Sequence, residues 1–153
     1  MQILILSVGK RSEQSIESMI DQYEKRLGRD YQLSWQFVSG SKSSDEIICR
    51  REDSTALSKY LKDTDKVILL DERGKQFDNK TFASAFEELS RSQGRIVFVI
   101  GGAFGVTREF RDRSSLIWSL SSLVFPHRLI RLILMEQLYR TIMITKGHPY
   151  HHE

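Results

Sequence analysis

Two short, uninterrupted apolar runs constrain this chain most: Lys66–Leu70 (KVILL) and Arg95–Ile100 (RIVFVI). A strand with no polar alternation has no face to give to water, so it must be covered on both sides. That cover is most readily supplied by helices on both faces of a parallel sheet, and the rest of the chain has the pieces. Gln2–Val8 (QILILSV) is a third apolar run closed by Gly9, and Tyr31–Val38 (YQLSWQFV) alternates polar and apolar residues up to Ser39-Gly40. A fifth strand is predicted near Ser119–Phe125, where serines mix with Leu120, Leu123, Val124 and Phe125.

Helical patterns lie between the strands. In Ser12–Leu27, Ile16, Met19, Ile20, Tyr23 and Leu27 recur at three- and four-residue steps and form one stripe. A second helix spans roughly Ser44–Lys62. A third begins after Asp78, a suitable N-cap, with Phe82, Phe86 and Leu89 on one side. Strands alternating with helices predict an α/β fold, a parallel sheet flanked by helices. Residues 1–153 read as one domain, with no repeat, linker or low-complexity segment, and Ser39–Asp45 (SGSKSSD) as a loop.

The last predicted helix, Arg128–Thr145, is apolar nearly all round and must be buried on more than one side. Either it packs one face on the sheet and the other on a second copy, giving a homodimer, or it is wholly internal. No run approaches the length of a membrane span and the N-terminus lacks a signal-peptide layout, so a cytoplasmic protein with no membrane partner is expected. Cys49, the sole cysteine, excludes an internal disulfide and reads as a small buried residue on a helix.

The net charge of +3 is unevenly placed. Residues 101–153 hold Arg108, Arg111, Arg113, Arg128, Arg131, Arg140 and Lys146 against Glu109, Asp112, Glu136 and Glu153, which leaves residues 1–100 neutral. A polyanion would be drawn to that end with salt-dependent affinity, although a solvated helix face would carry the same residues.

That segment also holds the motifs. Gly101-Gly102-Ala103-Phe104-Gly105 follows the run Arg95–Ile100 and precedes a short helix expected near Thr107. Glycines at a strand's carboxyl end allow tight turning and close approach of a ligand, and open α/β sheets bind ligands there. The loop is not the dinucleotide fingerprint, which would need glycine at Ile100, and no GxxxxGK[ST] occurs. Alone, the glycines fit a ligand loop or a tight turn equally. With the ends of the third strand (Leu69–Gly74) and the fifth (Ser121–Pro126), they would build a pocket of main-chain donors and acceptors with aliphatic walls, which suits an adenosine moiety. Asp71-Glu72-Arg73 reads as a solvated turn. The tail Gly147–Glu153 (GHPYHHE) has poor metal spacing, so no metal is expected, and a purification-tag remnant would not ordinarily include Pro-Tyr; a third reading is a segment folding back to present Tyr150 and a histidine to substrate.

ILSVGK, LLDERGK, IGGAFG, SLSSLVFPHRLIR, EQLYR and GHPYHHE together resemble one family, the SPOUT-class ribosomal RNA large-subunit methyltransferase H, over essentially the whole chain. The resemblance implies a SPOUT methyltransferase fold with a deep C-terminal trefoil knot, whereas the residues alone give an open sheet. It further implies a homodimer using S-adenosylmethionine to methylate N3 of a pseudouridine in helix 69 of 23S rRNA, within the assembled 70S ribosome. Carried over by position, the cofactor-binding residues are Leu70, Gly102 and Ser121, Ser122, Leu123, Val124, Phe125 and Pro126, with Gly101 and Gly105 shaping the loop. Tyr150 and His151 are the expected substrate-positioning or proton-handling residues, followed by His148. Arg131 and Arg140 are candidates for phosphate or uracil contacts. His127 fits either the pocket or a structural hydrogen bond at a helix start, and no catalytic base is identified. Phe104, where relatives commonly have tyrosine, and the divergent stretch Ser39–Arg51 depart from the family pattern. Two other classes compete: a non-catalytic ribosome-binding protein, and a nucleotide-binding α/β enzyme, which would need a phosphate loop or a metal-ligand set.

Overall fold

The computed structural model describes residues 1–28 and 31–148. Its elements run β1 (Gln2–Val8), α1 (Gln14–Leu27), β2 (Gln32–Val38), α2 (Glu46–Ser58), β3 (Lys66–Lys75), α3 (Asn79–Ser90), β4 (Ile96–Ile100), α4 (Arg108–Arg113), β5 (Leu116–Trp118) and α5 (His127–Thr145). The sheet order is β2-β1-β4-β3-β5, and every neighbouring pair is parallel.

The continuous apolar runs became the sheet's centre because their two faces feed two cores. Ile3, Ile5, Ile68, Ile96, Phe98 and Ile100 pack under α1, α3 and α5, while Leu4, Leu6, Val67, Leu69, Val97 and Val99 face α2 and α4. All five residues of β4 are buried. On the first face Phe82 of α3 stacks on Trp118 of β5 with ring centroids 3.7 Å apart, which fixes the edge strand to the core.

The helices begin where capping chemistry allows. Asp78 accepts from the Thr81 N–H, Asp45 from the N–H groups of Ile47 and Ile48, and Thr107 from that of Phe110. In α1, Ile20 and Leu27 are buried but Met19 stands 47% exposed, so the predicted stripe is narrower than it read. Cys49 is buried on α2 and donates to the Ser43 carbonyl at 3.0 Å.

The predicted fifth strand is displaced. Three residues, Leu116–Trp118, form β5, and Ser119–Phe125 is a loop. The Ser119 hydroxyl donates to the Ser121 carbonyl, and the Ser121 hydroxyl accepts from the Leu123 N–H. Such local bonds compete with ladder formation. β3 instead runs five residues past Leu70, with an irregularity through which Trp118 pairs with both Leu70 and Lys75.

From β5 at the sheet's edge the chain returns to α5, which lies between α1 and α3 on one face. That return is consistent with the trefoil threading implied by the resemblance. Arg131, Leu134, Met135, Leu138 and Ile142 are buried on α5, whereas Leu129 is 39% exposed and Leu132, Ile133 and Ile144 are half-buried.

Candidate active site

β3, β4 and β5 all end at the same edge of the sheet, and the loops leaving them enclose a cavity of about 330 Å³. Leu70, Ile100, Trp118, Leu120 and Ile130 form apolar walls. The rest of the lining comes from the glycine loop 101–105, from the loop after β5, and from the polar residues Arg50, Asp71, Glu72, Arg73 and His127. Of the residues predicted to hold a cofactor, Leu70, Gly101, Gly102, Gly105, Ser121, Leu123, Val124 and Phe125 line the cavity. Ser122 and Pro126 do not; both are exposed, and the Pro126 carbonyl accepts from Leu129 and Ile130 at the start of α5. Leu123 and Val124 are 68% and 84% exposed, so the cavity's lip carries apolar side chains in solvent.

The glycine loop is clamped from behind. The Gly105 N–H donates to the Gly102 carbonyl at 3.0 Å and closes the turn. Arg50 of α2 donates from Nε to the Phe104 carbonyl at 3.0 Å, which orients a main-chain group that the Phe104 ring does not control. Asp53, one turn further along α2, is buried beneath Gly102, with its Oδ1 accepting from the Ser41 N–H at 2.7 Å. Sequence reading missed both residues. A signal existed for Asp53: Cys49, Asp53 and Leu57 stand four residues apart and so share the buried face of one helix.

Asp71 overturns the expected solvated turn. Its side chain is buried, with Oδ1 accepting from the Arg73 N–H and Nε, and Oδ2 accepting from Arg73 Nη2 at 3.0 Å and Arg111 Nη2 at 2.9 Å. Burial alone would raise its pKa. The hydrogen bonds from Arg73 and the charges of Arg111 and Arg73 outweigh that and hold the carboxyl below its ordinary value. Glu72, which also lines the cavity, remains exposed as predicted.

On the opposite wall, His127 lines the cavity at the first residue of α5. Burial, and then the Arg131 charge, push its pKa down, against a hydrogen bond to the Val8 carbonyl and the Asp53 charge. Of the two alternatives read from the sequence, the pocket position is the one observed.

Arg131 is not available for a phosphate. It is 3% exposed, and its guanidinium donates to Ser7 Oγ, the Val8 and Lys10 carbonyls and Ser12 Oγ while lying over the Phe37 ring. Arg140 is half-buried, pairs with Glu136 at 2.7 Å and lies outside the cavity lining. His148 is exposed, with its N–H bonded to the Met143 carbonyl. Tyr150 and His151 lie outside the described residues. Among the described residues no group of three or more His, Cys, Asp or Glu could hold a metal ion, and no helix is long and apolar enough to cross a membrane.

Residues 1–151 match the family described as "predicted SPOUT methyltransferase". The chain is 37% identical over 158 aligned positions to a protein of Desulfitobacterium hafniense named "Ribosomal RNA large subunit methyltransferase H", with 99% of each chain covered. Proteins of the same name from Streptococcus gordonii and Gloeobacter violaceus are each 36% identical, again with 99% of both chains covered. Among solved structures, a probable methylase family protein from Haemophilus influenzae superposes with a TM-score of 0.55 at 18% identity, over 95% of this chain and 66% of that one, a likeness of fold.

Proposed function

Because the chain belongs to the SPOUT methyltransferase family, we propose that it methylates ribosomal RNA of the large subunit using S-adenosylmethionine. In its finer form the proposal is transfer to N3 of a pseudouridine in helix 69 of 23S rRNA, within the assembled 70S ribosome. The observation that carries the reading is the cavity: three strand-end loops meet around apolar walls and main-chain polar groups, the donor set that an adenosine needs.

The residues present fit the cofactor. Leu70, Ile100, Trp118, Leu120 and Ile130 offer dry walls to an adenine, and the main chain of 101–105 and 121–125 offers hydrogen bonds. About 330 Å³ lies within the range of small-molecule sites. When bound, S-adenosylmethionine supplies an electrophilic methyl group on a positively charged sulfur. The chain's own task is then to place the accepting nitrogen in line and to favour loss of its proton. His127 is suited to the proton: it lines the cavity, and burial favours its uncharged form. Asp71, ionised between Arg73 and Arg111, keeps a fixed charge arrangement on the opposite wall. Tyr150, His151, His148 and Arg140 are the residues that the family resemblance gives for positioning the nucleotide.

The exposed and half-buried apolar residues of α5, Leu129, Leu132, Ile133 and Ile144, support a homodimer through that helix. Each site then combines one subunit's cavity with the other's tail, and mixed dimers of a cavity variant and a tail variant should regain activity. The function itself is tested with tritiated S-adenosylmethionine on 70S ribosomes and on naked 23S rRNA from a strain lacking the modification. Label on a helix 69 pseudouridine in ribosomes is expected; no label on either substrate would refute the proposal.

A further inference from the structure

We infer that the groove between α2 and α4 is a second nucleic-acid contact, one that grips the phosphate backbone of the RNA whose nucleotide enters the cavity. This rests on the reading of the chain as a ribosomal RNA methyltransferase and adds a surface to it.

The groove measures about 650 Å³ and is lined by Arg51, Ser54, Thr55, Ser58 and Lys59 from the α2 side and by Thr107, Glu109 and Arg113 from the α4 side. Its floor is Phe110, which is buried, and beside the single carboxylate of Glu109 the surface presents cations and hydroxyls. Both types donate to phosphate oxygens. Arg51 and Lys59 are exposed, and among the described residues neither side chain has a hydrogen-bond or ion-pair partner. Two of the acids nearby are already paired: Asp112 with Arg108 at 3.6 Å and Asp63 with Arg113 at 3.8 Å. Arg51 and Lys59 thus outweigh Glu109, and the groove keeps a net positive charge.

Its position is as informative as its charge. Arg50 lines the cavity and Arg51 the groove; Gly105 lines the cavity and Thr107 the groove. The Thr107 N–H donates to Ser54 Oγ at 2.9 Å, so the two helices forming the groove are tied where it meets the glycine loop. Arg51 and Lys59 are eight residues apart, about 12 Å along the helix axis, and lie on one side of it. A strand following this line would have its backbone held beside α2 while one nucleotide reaches the cavity.

The test is the double neutralisation Arg51→Gln/Lys59→Gln, measured for binding to ribosomal particles lacking the modification over a series of monovalent salt concentrations. Loss of two phosphate contacts should lower the slope of log affinity against log salt by about 1.4 to 1.8, and weaken binding roughly 25- to 60-fold at 0.1 M salt. KM for the particle should rise accordingly, with kcat and the dissociation constant for S-adenosylmethionine unchanged. Arg51→Lys/Lys59→Arg, which keeps both charges, should retain the slope. If the neutralised protein binds and methylates as the parent does, the groove is not an RNA contact and the proposed function stands. A fall in cofactor affinity matching the loss of RNA binding would also overturn the inference, since it would mark damage to the fold. If the parent neither binds nor methylates the particle, the function has failed and the groove assignment goes with it.

Discussion

Gly102→Ala is the substitution most sharply determined by this structure. A Cβ at that position would lie 2.0 Å from Asp53 Oδ2 and 3.1 Å from its Cγ. Non-bonded heavy atoms do not approach so closely, so something must move by about 1 Å or more. The carboxylate cannot swing aside cheaply. Asp53 is 5% exposed, and Oδ1 is held by the Ser41 N–H at 2.7 Å. Overpacking of a rigid site costs ~1–3 kcal/mol. For a chain of this size each kcal/mol lowers Tm by about 2–4 °C, so a fall of roughly 2–12 °C is expected. The glycine loop is also a cavity wall, and a displacement of about 1 Å there should weaken S-adenosylmethionine binding by tenfold or more. Differential scanning calorimetry and titration calorimetry read the two effects. Combining Gly102→Ala with Asp53→Ala removes the clash, so the glycine substitution should cost less in that background, with a coupling of about 1–3 kcal/mol. Gly105→Ala is the contrast. It faces only Arg73 Nη2 at 3.6 Å, but has φ of +74°, so its cost of ~1 kcal/mol comes from backbone conformation and is not rescued by changing Asp53. A Gly102→Ala protein with the parent's Tm and cofactor affinity would refute this account of the loop.

His127→Gln should lower kcat by about 10²- to 10⁴-fold with cofactor affinity nearly unchanged, as read in single-turnover assays. The folded-state pKa of His127 is depressed, so its contribution to stability is present above the ordinary value of 6.5 and is lost as pH falls through the folded value; the Gln variant should lack that loss in melts taken below pH 6.5. Asp71→Asn leaves two guanidinium groups without their carboxylate and should cost ~3 kcal/mol at pH 7 by denaturant unfolding. Asp71 is also depressed, so its contribution holds above 3.8 and fades as pH falls below it, and the gap between parent and variant should narrow there. Arg131→Leu should destabilise on the order of 3 kcal/mol, because the Val8 and Lys10 carbonyls and Ser7 Oγ lose a donor; Arg131→Lys should recover little, since an ammonium cannot reproduce the planar fork.

How much of this could be read in the sequence follows from what each residue is asked to do. β1 and β4 were legible because burial on both faces leaves an unbroken apolar run. α3 was legible from its Asp78 cap and its phenylalanine spacing. β5 was misplaced because Leu116-Ile117-Trp118 is only three residues long, preceded by Ser114-Ser115, while the longer serine-rich stretch after it looked like an alternating strand. The cavity's composition was anticipated from three strand ends meeting at one edge. Its supports were not, because Asp71, Asp53 and Arg131 carry side chains that on sequence alone belong to solvent. Only the tertiary structure brings Arg111 to Asp71 across 40 residues, or Arg131 to Ser7 across 124.

Those supports have a common logic. A cavity with one wall made by a glycine loop needs that wall held in place, because glycine loops are intrinsically loose. Here each wall is backed by a buried ionic or hydrogen-bonded centre: Asp71 with Arg73 and Arg111 behind β3, Arg50 and Asp53 behind the glycine loop, and Arg131 beneath His127 at the end of β1. Such centres are poor sources of stability, since removing two charges from water costs about as much as their attraction returns. Their directional bonds do something apolar packing cannot: they specify where a carbonyl or an N–H points. Rigid polar backing with an interchangeable backbone wall is what a site needs when its ligand is recognised by hydrogen bonds to main chain. It also makes a definite demand on α2, which carries Arg50 to the cavity, Asp53 beneath Gly102, and Arg51 and its C-cap Lys59 to solvent. That helix has to be polar on both sides, and its weak apolar stripe reflects that double demand.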